Sequence, residues 1–361
     1  MRKGSTAMKA ATATDYIGLD LSDKTATYVV LSAEGEVVQD GKLKLSQAGL
    51  QRALGTRPPT QIAIEVGGHS PWVSRTLTDM GYDVTVANPR QVKLISHGQK
   101  KSDLLDAENL ARLLRYDRAM LRPITHRGPA AQADLALLRS RDAVVRARTR
   151  LISSARNMVK AAGGRLPRCS AESFHYKACD HVPELAKQAI LPLLEAIAGL
   201  SEQIARMTRD LDKLADERYP ETKVLRQIKG VGPLTSLGFV LTLEEAHRFG
   251  KSRSVGAFLG LVPRQHDSGE SQPQLRITKA GDPFLRRLVV QSAQYMLGPF
   301  GEDCDLRRWG LKLAGDGKNK IRRNKAVVAV ARKLAVLMHR LWQTGAVYEP
   351  LHQALLEQGA A

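Results

Sequence analysis

The chain has 361 residues, 43% hydrophobic and 25% charged, enough for about two or three domains with real cores and too apolar for a disordered basic tail. Lysine and arginine number 55 against 36 aspartates and glutamates, a formal net charge of +19. A surplus that large points to a polyanionic partner, nucleic acid foremost. Aromatic residues make up only 5%, too few for a protein built mainly on base-stacking platforms.

No stretch approaches the roughly 20 apolar residues of a membrane span; the best candidate, 326–338, is interrupted by Arg332 and Lys333. The first residues carry charge without the apolar core of a secretory signal. Cys169, Cys179 and Cys304 lie in a basic chain without such a signal, which predicts a reducing, cytoplasmic setting.

After an N-terminus at 1–14 predicted to be disordered, residues 15–125 read as an α/β domain. Strands are predicted at 16–19, 25–31 and 36–45, punctuated by Gly35 and Gly41. A helix at 47–54 leads through Pro58 to a strand at 61–66, a helix at 71–80 and a strand at 82–87. Pro89 suits the first turn of a further helix. The last element, 102–115, is amphipathic, with Ser102 as its N-cap. Three strands, a helix, a strand, a helix, a strand and further helices is the order of a ribonuclease-H-like domain.

Residues 126–221 read as a helical connector. Within 139–168 nine basic residues stand against Asp142, a net +8. Leu193, Leu194, Ile197, Leu200, Ile204, Met207, Leu211 and Leu214 recur at roughly heptad spacing. Two long antiparallel helices account for this, paired either within one chain or as a dimerising coiled coil. Residues 222–345 read as a second, mainly helical domain, and 346–361 as a tail. The run 228–236 (Ile-Lys-Gly-Val-Gly-Pro-Leu-Thr-Ser) has the Gly-x-Gly turn of a helix-hairpin-helix, where backbone amides approach a phosphate. Residues 306–340 add eleven basic residues against Asp316, a net +10.

Four carboxylates stand out by position. Asp20 closes the first predicted strand and Glu65 the fourth, while Asp103 and Asp106 lie three apart on one helical face. Alone, each reads as a turn or helix-start residue. Together they form a set of hard oxygen ligands suited to Mg²⁺ or Mn²⁺, two of which clamp the attacking and leaving oxygens of a phosphodiester. A sugar-kinase or actin-like ATPase also opens on a strand with an acidic residue, but its second, Gly-rich copy has no counterpart in this basic helical half.

A second feature is Ser268 in Asp-Ser-Gly, which is turn chemistry by residue type. Arg264, Arg276, Lys279, Arg286 and Arg287 surround it in sequence and would suit a phosphate and its transition state. A serine so placed could act as a nucleophile toward phosphorus, provided something takes its proton.

The run Ile17-Gly-Leu-Asp20, Ile64-Glu65, Asn88-Pro-Arg-Gln-Val-Lys93 and Lys101-Ser-Asp-Leu-Leu-Asp-Ala-Glu108 resembles the DEDD transposases of bacterial insertion sequences. The distal segments Gly230-Val-Gly-Pro, Gly260-Leu-Val-Pro-Arg, Ser268-Gly, Ile277-Thr-Lys-Ala-Gly281 and Asn324 to Lys333 are similar to the same one-ten/eleven-eleven group, whose members are bridge-RNA- or seeker-RNA-guided recombinases. The resemblance covers about 15–345. It implies a RuvC-like catalytic domain, a coiled-coil connector and a transposase domain supplying a serine. On it, Asp20, Glu65, Asp103 and Asp106 match the metal-binding set, and Ser268 matches the serine that forms a covalent phosphoserine with DNA.

The resemblance further implies a site composed from two subunits, assembly as a dimer or tetramer on two DNA duplexes, a noncoding guide RNA and association with the bacterial nucleoid. After Ser268-Gly269 the chain departs from the family pattern, lacking a second glycine and basic residue, which leaves Ser271 as a rival nucleophile. Lys101, Arg146, Arg150, Lys229, Arg264, Arg276, Lys279, Arg286, Arg287, Lys320, Arg322, Arg323 and Lys325 are the expected nucleic-acid contacts, with salt-dependent affinity. Two other functions fit the residues: a junction nuclease using water, and a non-catalytic nucleic-acid-binding relative.

Cys169, His175, Cys179 and His181 match no common zinc spacing and read as a loosely packed linker. His69 and His266 flank the proposed catalytic elements and read as polar loop histidines.

Overall fold

Runs of β-branched and aliphatic residues between Asp15 and Lys44 form an antiparallel meander: β1 (Asp15–Leu21), β2 (Thr25–Ser32) and β3 (Val37–Lys44). The computed structural model describes residues 15–58, 60–88, 102–266, 268, 271, 273 and 275–352. The expected disordered 1–14, the helix expected from Pro89, and Lys101 lie outside the described residues. The described chain divides into two units, Met1–Arg127 and Gly128–Ala361.

In the first unit, β4 (Gln61–Glu65) and β5 (Asp83–Ala87) add to β1 in parallel, giving the order β3-β2-β1-β4-β5. The helices α1 (Gln47–Leu54) and α2 (Ser70–Asp79) cover one face, where Leu50, Leu54, Val73 and Leu77 meet Ile17, Leu19, Ile62 and Ile64. Helix α3 (Asp103–Tyr116) covers the other, with Ala107, Leu110, Ala111 and Leu114 on Val29, Leu31, Ala63 and Ala87. Small residues let α3 lie close. A Cβ on Gly18 would collide with the carbonyl of Ala107 and the amide of Ala111. The Ser102 hydroxyl caps α3, accepting from the Leu105 amide at 3.2 Å.

The second unit is helical. Helix α4 (Pro129–Ala161) packs along α6 (Glu184–Arg218), the intramolecular one of the two arrangements allowed by the heptad spacing. Leu194, Ile197, Ile204 and Leu211 are buried. Polar pairs recur at seven-residue steps along α4, with partners on α6 and on residues outside it. Asp134 accepts from the Tyr219 hydroxyl at 2.6 Å, Arg141 donates to Thr208 at 2.7 Å, and Arg148 donates to Ser201 and Glu172 at 3.2 and 2.9 Å.

The segment expected to be a loose linker is instead packed. It forms α5 (Phe174–Cys179), whose Phe174 and Ala178 are fully buried against Ala155, Val159 and Ile190. Burial of one phenylalanine, rather than helix propensity, holds this single turn and a half in place.

The remaining helices are α7 (Glu221–Leu225), α8 (Pro233–Leu243), α9 (Arg253–Phe258), α10 (Pro283–Leu297), α11 (Asp305–Ala314) and α12 (Lys320–Thr344). Phe239, Val289, Val330, Leu334 and Met338 are among their shared core. The predicted Gly-x-Gly turn joins α7 to α8, with Gly230 at φ +93°. No helix among the described residues is long and apolar enough to cross a membrane.

Candidate active site

The carboxylates are placed by strand register. Asp20 on β1 pairs with Thr27 on β2, and Thr27 pairs with Lys42 on β3. On the other side, β1 and β4 run parallel with Leu19 opposite Ile64, so Asp20 and Glu65 are the next rung. Lys42, Thr27, Asp20 and Glu65 therefore form one row across the sheet. The pleat puts this row on the same face as Gly18 and Ala63, the face that α3 covers.

Helix α3 runs against β1. Its C-terminal half lies over Tyr16 and its guanidinium of Arg115 donates to the Ala33 carbonyl at 2.8 Å, so its first turn lies toward the row. Asp103 on that turn confirms the direction, meeting Lys42 at 3.8 Å. The four predicted carboxylates thus share one end of the sheet. Asp20, Glu65 and Asp106 are half-buried and Asp103 is exposed. The acids are near one another without being gathered: among the described residues, no three His, Cys, Asp or Glu side chains lie close enough to hold a metal ion. Their chemistry, four hard oxygen donors at one sheet end, nevertheless fits a hard divalent cation.

Ser268 stands on a different scaffold. Backbone bonds join Lys279 to Gly260 (3.1 Å), Thr278 to Val262 (2.9 Å) and Arg264 to Arg276 (3.0 Å). Farther out, Ser268 and Ser271 exchange amide-to-carbonyl bonds at 3.2 and 3.0 Å. Among the described residues, the bridges Pro263–Ile277 and Ser268–Ser271 outline a narrow ribbon, with Ser268 and Ser271 exposed at its outer bridge. At the base, a Cβ on Gly281 would run into the Phe258 carbonyl, and Arg286 donates to the carbonyls of Leu259 and Gly281 at 3.0 and 3.3 Å. Asp282 then caps α10, accepting from the Phe284 and Leu285 amides at 2.8 and 3.0 Å, and pairs with Arg139 of α4 at 2.5 Å.

The predicted nucleic-acid contacts divide by engagement. Arg286 clamps the ribbon base. Arg287 and Arg146 both pair with Asp142, at 2.6 and 3.0 Å, and Lys229 pairs with Glu302 at 3.3 Å. Arg322 is exposed and donates to the Leu313 carbonyl at 2.8 Å. Arg150, Arg264, Arg276, Lys279, Lys320, Arg323 and Lys325 are exposed. Lys320, Arg322, Arg323 and Lys325 crowd the first turns of α12, just after Lys318 in the chain.

His69 accepts from the Trp72 indole at 3.1 Å and faces Asp23 at 3.6 Å, while His266 is exposed on the ribbon. Lys42 was not among the residues singled out from sequence. An alternating strand marks it only as a polar position, and its partner Asp103 is sixty-one residues away.

Residues 17–162 match the profile of the IS110-type DEDD transposases, described as a transposase, and residues 222–300 match the transposase IS116/IS110/IS902 family. The transposase for insertion sequence element IS1111A of Coxiella burnetii is 27% identical over 333 residues, covering 90% of this chain and 88% of that protein. The transposase for insertion sequence element IS1328 of Yersinia enterocolitica is 28% identical over 337 residues, covering 92% and 98%. A probable family 20 transposase of Pseudomonas aeruginosa is 27% identical over 344 residues, covering 92% and 98%. One profile spans the carboxylate row and the other begins before and ends beyond the serine ribbon; the chain belongs to the IS116/IS110/IS902 family of transposases.

Proposed function

We propose that this transposase is an RNA-guided DNA recombinase that cuts and rejoins strands through a phosphoserine on Ser268. The presentation of that residue carries the reading: its hydroxyl belongs to an exposed outer rung of a ribbon edged by Arg264, Arg276 and Lys279. In the cleavage step a bond forms between Ser268 Oγ and phosphorus, and the bond from phosphorus to one sugar oxygen breaks. The serine proton leaves and the departing sugar oxygen gains one. Reversal by another sugar hydroxyl restores the serine, so the energy of the broken ester is conserved and no nucleotide cofactor is consumed.

The strand order β3-β2-β1-β4-β5 supports a RuvC-like, ribonuclease-H-like reading of the first unit. Asp20, Glu65, Asp103 and Asp106 would hold Mg²⁺ or Mn²⁺, which when bound supplies Lewis-acid activation of a phosphodiester. The cationic first turns of α12 and the ribbon arginines grip phosphates, and the low aromatic content suits specificity delegated to base pairing with a guide RNA. Assembly as a dimer or tetramer accommodates donor and target duplexes.

The test is a denaturing gel of protein incubated with its element-end DNA and divalent metal. The wild type is expected to give a covalent protein–DNA species that Ser268→Ala abolishes. Cleavage without any adduct would instead favour the hydrolytic nuclease.

A further inference from the structure

The pairing of Lys42 with Asp103 has a bearing on cation binding that neither residue suggests alone. Lys42 shares the register row of Asp20 and Glu65 but lies two strands from Asp20, roughly 10 Å at the usual strand spacing. Its ammonium is 3.8 Å from the Asp103 carboxylate, on the first turn of the helix that covers this face. Asp103 thereby pairs with a residue of the edge strand β3.

The helix does not need this contact to keep its carboxylate. Asp103 already sits at a helix N-terminus, where the aligned backbone dipoles favour an anion, and Ser102 already caps the end. What the ammonium does supply is a counter-charge where four carboxylates share one sheet end. Bringing like charges together there is opposed by their repulsion, which a nearby positive charge reduces.

We propose that Lys42 is a positioning residue that competes with the divalent cation for Asp103. With no cation bound, Lys42 holds Asp103 at the sheet edge and offsets part of the acidic charge. A bound cation takes that carboxylate, and the Lys42 ion pair opens. The inference rests on the metal-binding reading of the four carboxylates. It differs from an ordinary edge-strand lysine, which guards against strand pairing, in predicting that removal of Lys42 tightens cation binding.

Binding of Mn²⁺ to the full-length protein, followed by titration calorimetry and by the loss of the free-ion electron paramagnetic resonance signal, tests this without any DNA. Lys42→Met is expected to bind Mn²⁺ about two- to fivefold more tightly, the range set by the worth of an exposed ion pair. Lys42→Arg is expected to stay at the wild-type value. In an Asp103→Asn background Lys42→Met is expected to change nothing, because the pair no longer exists.

Unchanged or weaker binding by Lys42→Met, beside a wild type that binds, would overturn the role of Lys42 and leave the metal reading standing. The same gain in the Asp103→Asn background would also overturn it, showing only a long-range charge effect. A wild type that takes up no Mn²⁺ would remove the metal reading and this inference together.

Discussion

The two units present their candidate functional side chains in opposite ways. In the first, Asp20 and Glu65 sit on interior strands of a five-stranded sheet, Asp20 paired with Thr27 on β2 and Glu65 with Ala87 on β5. Their spacing follows from register, and register is held because a one-residue slip would turn Ile17, Leu19, Ile62 and Ile64 out of the core. In the second, Ser268 stands on a ribbon whose outer rung is exposed and whose order comes from a tight base at Gly281 and Arg286. On the proposed reading, the sheet would fix the Asp20 and Glu65 ligands of a cation site, with Asp103 and Asp106 brought by α3. A nucleophile that must reach a strand of DNA is better carried on a projecting arm.

This contrast breaks most visibly at Gly18. Gly18→Val would drive a side chain into the backbone of α3 at Ala107 and Ala111, so destabilisation of roughly 3 kcal/mol is expected, read as a lower midpoint in urea. Mn²⁺ uptake should fall with it, since α3 carries Asp103 and Asp106. Uptake at the wild-type level would show that α3 is dispensable for the acids.

Gly281→Ala makes the complementary break. Contact with the Phe258 carbonyl should cost about 1–2 kcal/mol. Adduct yield should drop on the order of tenfold or more, because small displacements of a reacting group are costly, while Mn²⁺ affinity stays unchanged. A parallel loss of both would mean that the two scaffolds are not independent in the way described.

The smallest effect sharpens the energetic side. His339 is fully buried, with Nε2 at 2.8 Å from the Ala246 carbonyl and Nδ1 at 3.0 Å from the Ser252 hydroxyl. Burial pushes its pKa below the usual histidine value; the Ala246 carbonyl opposes that shift and nearby His247 adds to it. The native state therefore binds fewer protons than the unfolded chain. Its contribution is intact above the unfolded pKa near 6.5 and is lost as pH falls toward the native value. Urea midpoints measured from pH 7.5 to 5 should decline, and His339→Gln should flatten the decline. His126 in the first unit, also held low by burial and by Arg75 and Arg127, should contribute a second slope that His339→Gln leaves in place.

The order of the first unit was legible in sequence because its signals are local. A short apolar run marks β1, β-branched residues mark β2, alternation marks β3, and Ser102 caps α3 as its residue type predicts. The positions of the four carboxylates at element ends were legible for the same reason. Register was not. Nothing local says that Lys42 lies in the row of Asp20, because that follows from pairing across two hairpins. Residues 169–181 were misread because Phe174 and Ala178 gain their order from burial against α4 and α6, which composition does not reveal. For Arg286, read as a phosphate contact, no local signal showed that its guanidinium also donates to two backbone carbonyls at the ribbon base.

The most direct test is to locate the DNA linkage itself. Trypsin should release residues 265–276, cut after Arg264 and Arg276, as one peptide containing both Ser268 and Ser271. After nuclease digestion of the adduct, fragmentation of this peptide by mass spectrometry should place the nucleotide remnant on Ser268. A remnant on Ser271, or on no residue of the ribbon, would contradict the account.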